Sequence, residues 1–317
     1  GVVTRQLRTG GTSWEFELVS ENDGGVSTSE SLGAYGYGEK DTVFTAGGPL
    51  GSKVKLFTAL SQGESGSPLM YWDGFELNNL VDTGDRGGSV HWQDADDDGE
   101  KEPDKVDKLT VKPGTIAHAQ QQIKRANTTM LLDLNPITLK LTHIMASGNA
   151  DSPGTPIRNI LNTQRLGESD YQQNMLSLKA THVLSANTIY DVTLSYLKND
   201  YESYDPFFKD NFMLYNDSTA VSNMGQAKNL DFASFSRAGS APRDYDFNGF
   251  PFTRPGATMT GYGKQSDGYK GVSGSITNQG KVHQVKAGFD FQSWQTRRYS
   301  IAGLGSIRNQ INLSHPE

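Results

Sequence analysis

Hydrophobic and polar residues alternate along this chain wherever a pattern exists, and the period is two. "WEFELVS" sets Trp14, Phe16 and Leu18 on one side and Glu15 and Glu17 on the other. "VKLFTAL" sets Val54, Leu56 and Leu60 against Lys55, and "ITLKLTHIM" sets Ile137, Leu139, Leu141 and Met145 against Thr138, Lys140 and Thr142. In "TIYDVTLSYLKNDY", Tyr190, Val192, Leu194 and Tyr196 stand opposite Asp191, Thr193 and Ser195. In "VKAGFDFQSW", Val285, Ala287, Phe289 and Phe291 stand opposite Lys286, Asp290 and Gln292. Successive side chains of a strand point to opposite faces, so each stretch predicts a strand with one apolar and one polar face. With Thr42, Phe44 and Ala46 on one face before the Gly-Gly-Pro turn, and three less regular stretches, the pattern predicts about nine strands, near 12–21, 37–47, 53–62, 120–134, 137–147, 171–185, 188–203, 265–278 and 281–297.

The links between these strands alternate strictly in length. Short ones carry turn residues: Gly47-Gly48-Pro49-Leu50-Gly51, Asn135-Pro136, Ser185-Ala186-Asn187 and Asn278-Gln279-Gly280. Long ones fall at about 22–36, 63–119, 148–170 and 204–264, with a last one opening at about 298–317. Tight turns at one end of a sheet and long loops at the other, with one apolar face throughout, predict an antiparallel transmembrane β-barrel, all-β and partial. A secreted carbohydrate-binding β-sandwich is the soluble alternative, but two links of about 60 residues are unusual in a compact soluble domain.

Composition fits the same picture. The chain has 35 Gly, 14 Phe and 13 Tyr but only 35% hydrophobic residues, which gives many turns and little aliphatic material for a conventional core. It has no cysteine, which excludes a disulfide scaffold, a zinc-thiolate site and a thiol nucleophile. A net charge of −7 without a basic run argues against a nucleic-acid partner. No stretch has the roughly 18 consecutive apolar residues of a membrane helix. Nor is there a nucleophile elbow, a His-Glu-x-x-His pair or a phosphate-cradling glycine loop, and His143 and His182 sit alone in strands, so no enzymatic activity is expected.

Two stretches carry candidate sites. In "QDADDDGEKEPDKVDKL", Asp94, Asp96 and Asp98 before Gly99 have the spacing that turns alternate carboxylates toward one calcium ion. Glu100 and Glu102 complete the candidate set; Lys105 stands where an EF-hand has its bidentate glutamate, so the ion would be structural. The longest loop is rich in aromatics and amides suited to sugars or peptides, with Tyr215, Phe232, Phe235, Tyr245, Phe247 and Phe250 as candidates. Trp72 and Trp92 in the second loop join them, and the competing role for all eight is packing of the loops themselves.

"GVVTRQLRTGGTSWEFEL" resembles the end of the plug domain passing into the first barrel strand of TonB-dependent outer-membrane transporters. "YGYGEKDTVFTAGGPLGSKVKLFTAL" is similar to the second and third strands of the branch holding the SusC-like and Oar-like transporters, and "THVLSANTIYDVTLSYLKNDYESYDP" to the sixth and seventh. The resemblance implies that 1–11 ends a plug and 12–317 begins a barrel of about 22 strands, of which about nine are here. The opening residues carry no signal peptide and read as the middle of a folded protein, so further sequence is expected at both ends. The resemblance also implies an outer-membrane location with lipid around the wall and no required cofactor. It implies as partners the TonB complex and, for SusC-like members, a surface lipoprotein of SusD type. The implied function is energy-coupled uptake of an oligosaccharide, peptide or metal complex. The alternative is a structural or adhesive barrel whose loops bind a partner.

Overall fold

The computed structural model describes residues 8–23, 38–66, 70–71, 74–81, 92–93, 98–100, 102–103, 105–111, 114–115, 120–151, 157–215, 217–228, 244–247 and 249–301. Nine strands form one antiparallel sheet: β1 (Glu15–Asn22), β2 (Lys40–Pro49), β3 (Val54–Ser65), β4 (Gln121–Asp133), β5 (Ile137–Asp151), β6 (Glu168–Ser185), β7 (Thr188–Tyr204), β8 (Tyr262–Gln279) and β9 (Gln284–Ile301). Each pairs with its neighbours in sequence, so the sheet is an unbroken meander with β1 and β9 as its edges, and it does not close on itself.

All nine expected strands are present, and their ends differ in one systematic way. At the tight turns the boundaries fall close to the predicted ones; at the long links several strands run further, with β5 reaching Asp151 and β8 starting at Tyr262. The apolar alternation stops there while backbone pairing continues, so a pattern reader ends the strand too early. Short antiparallel pairings also fill part of the expected 63–119 loop, the longest being Phe75–Val81 with Lys105–Val111. One helix, α1 (Ser218–Ala227), lies in the longest link, capped by the Asp217 side chain accepting from the Ala220 N–H at 3.0 Å.

The register carries the alternation across the whole sheet. Directly opposed residues share a face, and Leu56, Met130, Leu141, Leu178, Leu194, Val272 and Phe291 stand side by side from β3 to β9. The parallel row is Val54, Leu132, Leu139, Ala180, Val192, Gly274 and Phe289. Phe16, Leu18, Phe44, Leu60, Ala126 and Met145 extend this belt over β1 to β5. The opposite face is mostly polar: Lys55, Lys140, Lys179, Thr193, Ser273 and Asp290 share one of its rows. There Lys179 meets Asp191 at 3.4 Å, and Ser275 Oγ donates to the same carboxylate at 2.7 Å.

The tight turns are staggered. The last pair before the β2–β3 turn, Pro49 with Lys55, lies in the row of Ser273 and Asp290, whereas the last pair at the β8–β9 turn is Gln279 with Gln284, six residues further along each strand. The β4–β5 turn lies between, its last pair Asp133 and Thr138 being two residues past Leu131 and Lys140 of that row. Each strand therefore shifts its turn by about one residue relative to the strand before it.

Burial is concentrated outside the sheet. Leu166, Phe207, Tyr215, Val221, Phe247 and Phe252, all in the long links, are buried, whereas Leu194 of the apolar belt is 52% exposed and Phe291 is 66% exposed. At the turn end, Arg8 to Gly11 lies on the polar face. The Arg8 guanidinium sits 5.3 Å from the centre of the Phe57 ring, and Gly10 packs so closely that a Cβ there would stand 2.3 Å from Leu56 O.

Candidate functional site

Three long links fold together at the far end of the sheet, and one buried arginine ties two of them, those after β5 and β7. Arg165, in the short 3-10 turn Thr163–Arg165, is fully buried. Its Nε donates to Asp205 Oδ2 at 2.9 Å, Nη2 donates to the same oxygen and to Tyr215 O at 3.1 Å, and Nη1 donates to Gly256 O. The guanidinium also faces the Phe207 and Phe208 rings at 5.4 and 5.8 Å. Burial pulls its pKa down, and the adjacent Asp205 carboxylate opposes that shift.

The neighbouring contacts spread from this centre. Asn162 Nδ2 donates to Ala257 O at 2.8 Å, and its Oδ1 accepts from the Gly256 N–H at 2.8 Å. Thr253 Oγ1 donates to Asn159 Oδ1 at 2.8 Å. Tyr215 OH donates to Lys209 O and accepts from the Asp205 N–H at 2.8 Å, while burial pushes the phenol up to about 12. Phe247 and Phe252, from the small hairpin Asp244–Phe247 with Phe250–Thr253, pack with Leu77, Leu80, Ile160 and Leu161. Residues from the links after β3, β5 and β7 thus form one cap. The cap meets the sheet through Tyr204, Tyr262 and Ile301, which cluster with Tyr215, Phe208 and Phe212.

The candidate ligand residues divide accordingly. Tyr215 and Phe247 are buried and pack within the cap. Phe250 is 44% exposed beside Phe252, with ring centres 5.0 Å apart, and remains open to a ligand. Trp92 and Tyr245 lie in short strands, Trp92–Gln93 and Asp244–Phe247. Trp72, Phe232 and Phe235 lie outside the described residues. Of the calcium candidates, Asp94 and Asp96 also lie outside them, and Glu102 falls in the two-residue strand Glu102–Pro103. Asp98 and Glu100 are exposed, and Asp98 Oδ1 accepts from the Glu100 N–H at 2.8 Å in a turn made possible by Gly99 at φ +91°. Among the described residues no three carboxylate or imidazole groups converge on one point.

Two features escaped the sequence reading. One is the Arg165–Asp205 centre, whose partners are 40 residues apart in the chain and carry no local motif. The other is an open groove of about 500 Å³ across β4 to β8, on the same face as the apolar belt and beyond its upper margin. Two polar rows line it: Lys124, Ser147, Gln172 and Asp200, then Gln122, Asn149, Asp170, Glu202 and Lys264. Its carboxylates already have donors. Asp170 accepts from Tyr204 OH at 2.8 Å, Asp200 from Ser266 Oγ at 2.7 Å, and Glu202 from Tyr262 OH at 2.7 Å. Comparison with family models, with curated proteins and with solved structures finds no match to this chain.

Proposed function

We propose that these strands are part of the wall of an outer-membrane barrel, and that the barrel is a TonB-dependent transporter. The observation that carries the wall is the stagger of the tight turns. If the turns lie in one plane, six residues at about 3.3 Å each over six strand spacings of about 4.8 Å inclines the strands by about 35°. That is the tilt strands take in a barrel wall, about 35–45°. The apolar belt supports the same reading, since its leucines and phenylalanines are exposed here and lipid would cover them. A bilayer also demands partners for the backbone groups of β1 and β9, so on this reading further strands complete the wall.

The transporter half rests on the resemblance of three stretches and on one contact. Arg8 to Gly11 lies on the polar, lumen-side face before the chain enters β1, the path required of a segment leaving a plug. The other reading, an anchor whose loops bind a partner, draws on the cap, because three links packed into one body form a firm external platform.

A paired charge scan tests the wall. Leu178→Arg, on the apolar face, is expected to cost about 2–4 kcal/mol of folding in bilayer or detergent, and Ser177→Arg on the other face almost nothing. Equal costs, or a wild-type protein that stays monomeric in buffer without detergent, reject the barrel. Retention of the membrane-purified protein on an immobilised TonB periplasmic domain supports transport. Membrane integration without retention assigns the anchor role.

A further inference from the structure

We propose that Asp151 and Glu168, the two feet of the link 152–167, form a proton-operated latch that ties the cap down in acid and loosens it as the pair ionises. The two residues are the last register pair of β5 and β6, so their carboxylates stand directly opposed on one face. Like charges in that position repel, with Cβ atoms about 4.5–5.5 Å apart. Tyr204, the last paired residue of β7, flanks Glu168 on the other side. Arg165 lies just before Glu168 in the chain and Asp205 just after Tyr204, so this one row carries both partners of the buried ion pair. The fit beside it is tight. A Cβ on Gly167 would stand 2.9 Å from Thr260 Cβ, so a shift of the chain at Glu168 presses on 254–262.

The hydrogen bonds single out Glu168 as the group that takes the proton. Asp151 Oδ2 accepts from the Gln120 N–H at 3.4 Å, Asp170 from Tyr204 OH at 2.8 Å and Glu202 from Tyr262 OH at 2.7 Å. Among the described residues no N–H or O–H is set on the half-buried Glu168 carboxylate. The charges that face it are Asp151 from β5, Asp170 from β6, and Lys209 and Lys228 from the link after β7. Both ammonium groups lie over rings, Lys209 5.4 Å from the centre of Tyr204 and Lys228 4.9 Å from that of Phe207. Burial first, and then the two carboxylates, outweigh them and hold the Glu168 pKa above its ordinary value. One proton taken from solvent and shared by Glu168 and Asp151 replaces their repulsion with a charge-assisted hydrogen bond across the two feet. A carboxyl raised in the folded state gives stability that is full in acid and lost as pH rises through its folded value, so the cap loosens toward alkaline pH.

The test follows hydrogen exchange of the full protein in detergent from about pH 4 to about pH 8, with each amide compared with a free amide at the same pH. Protection in 159–166, 205–215 and 254–262 is expected to fall by at least about fivefold across that range, the lower end of a coupling between two states. Glu168→Gln keeps a donor toward Asp151 and cannot ionise, so it is expected to hold the acid level of protection at every pH. Asp151→Asn removes the repulsion and is expected to shrink the fall. Glu17→Gln, on the opposite face near the other end of the sheet, is the control and is expected to keep the wild-type profile. Unchanged exchange along β4 to β7 at the turn end shows that each variant is folded.

Wild-type protection that is independent of pH overturns the latch, and so does a fall that persists in Glu168→Gln, which puts the titrating group elsewhere. A Glu168→Gln variant whose protection changes by one factor at every pH reduces the residue to packing and overturns it as well. Protection that follows added calcium at fixed pH, and not pH itself, makes the pair an ion site instead of a proton site. The latch does not require the wall reading, and none of these outcomes bears on it.

Discussion

Replacing Arg165 with methionine isolates what holds the cap together. Methionine fills much of the same space but removes four donated hydrogen bonds, two to Asp205 Oδ2 and one each to Tyr215 O and Gly256 O. It also leaves the Asp205 carboxylate, itself fully buried, with the Phe207 N–H at 2.9 Å and no cation. Breaking a buried ion pair from one side costs about 3–5 kcal/mol, because the remaining charge has lost its counter-ion. The cap's free energy of opening should fall by that amount, so amide exchange speeds up by a hundredfold or more in 159–166, 205–215 and 254–262. Exchange along β4 to β7 at the turn end should be unchanged, since those amides are paired across the sheet and not through the cap. The assay is hydrogen exchange followed by mass spectrometry on the detergent-solubilised protein. Adding Asp205→Leu should restore much of the loss by removing the stranded charge. The reasoning is refuted if the single variant exchanges like the wild type in those three segments, or if the strands open to the same extent as the cap.

Glu168 gives a pH-dependent test. It lies half-buried above the belt, with its pKa raised first by burial and then by Asp151 directly across the register. A carboxyl raised in the folded state contributes stability that is full below its unfolded value and is lost as pH rises through the folded one. Glu168→Gln should therefore raise the melting temperature at pH 7 and have no effect well below pH 4.5, checked by thermal denaturation across that range. Gly10→Ala tests the approach of the entering segment to the sheet. The new methyl would stand 2.3 Å from Leu56 O and 2.8 Å from Gly48 O, both backbone atoms with no side chain free to move aside. The segment should lift from the polar face and become open to limited proteolysis at Arg8, while Gly11→Ala, whose Cβ meets nothing nearer than 3.6 Å, should not have this effect.

The sequence alone determined the strands and their two faces. Period-two alternation is local information: Leu178 and Ala180 against Ser177 and Lys179 must point opposite ways in any strand, whatever that strand pairs with. The tight turns were nearly as legible: Pro136 restricts the backbone at the β4–β5 turn, and Gly51, at φ +90°, marks the β2–β3 turn, although Gly47 to Pro49, expected in that turn, pair as the end of β2. The strand ends above the belt were not, since both faces turn polar there and the periodicity disappears while the hydrogen bonds continue.

Three features arise from contacts between distant parts of the chain. The register made separate apolar residues into one belt and revealed the stagger of the turns, a relation between strands that no single segment encodes. Long-range pairing brought Arg165 to Asp205, Tyr215 and Gly256, and set Phe247 among Leu77, Leu80 and Ile160. The groove exists because Lys124, Gln172 and Lys264, on three different strands, share one face within two adjacent rows. Each is a non-local contact, fixed by how strands pair and loops close rather than by the residues on either side of it in the chain.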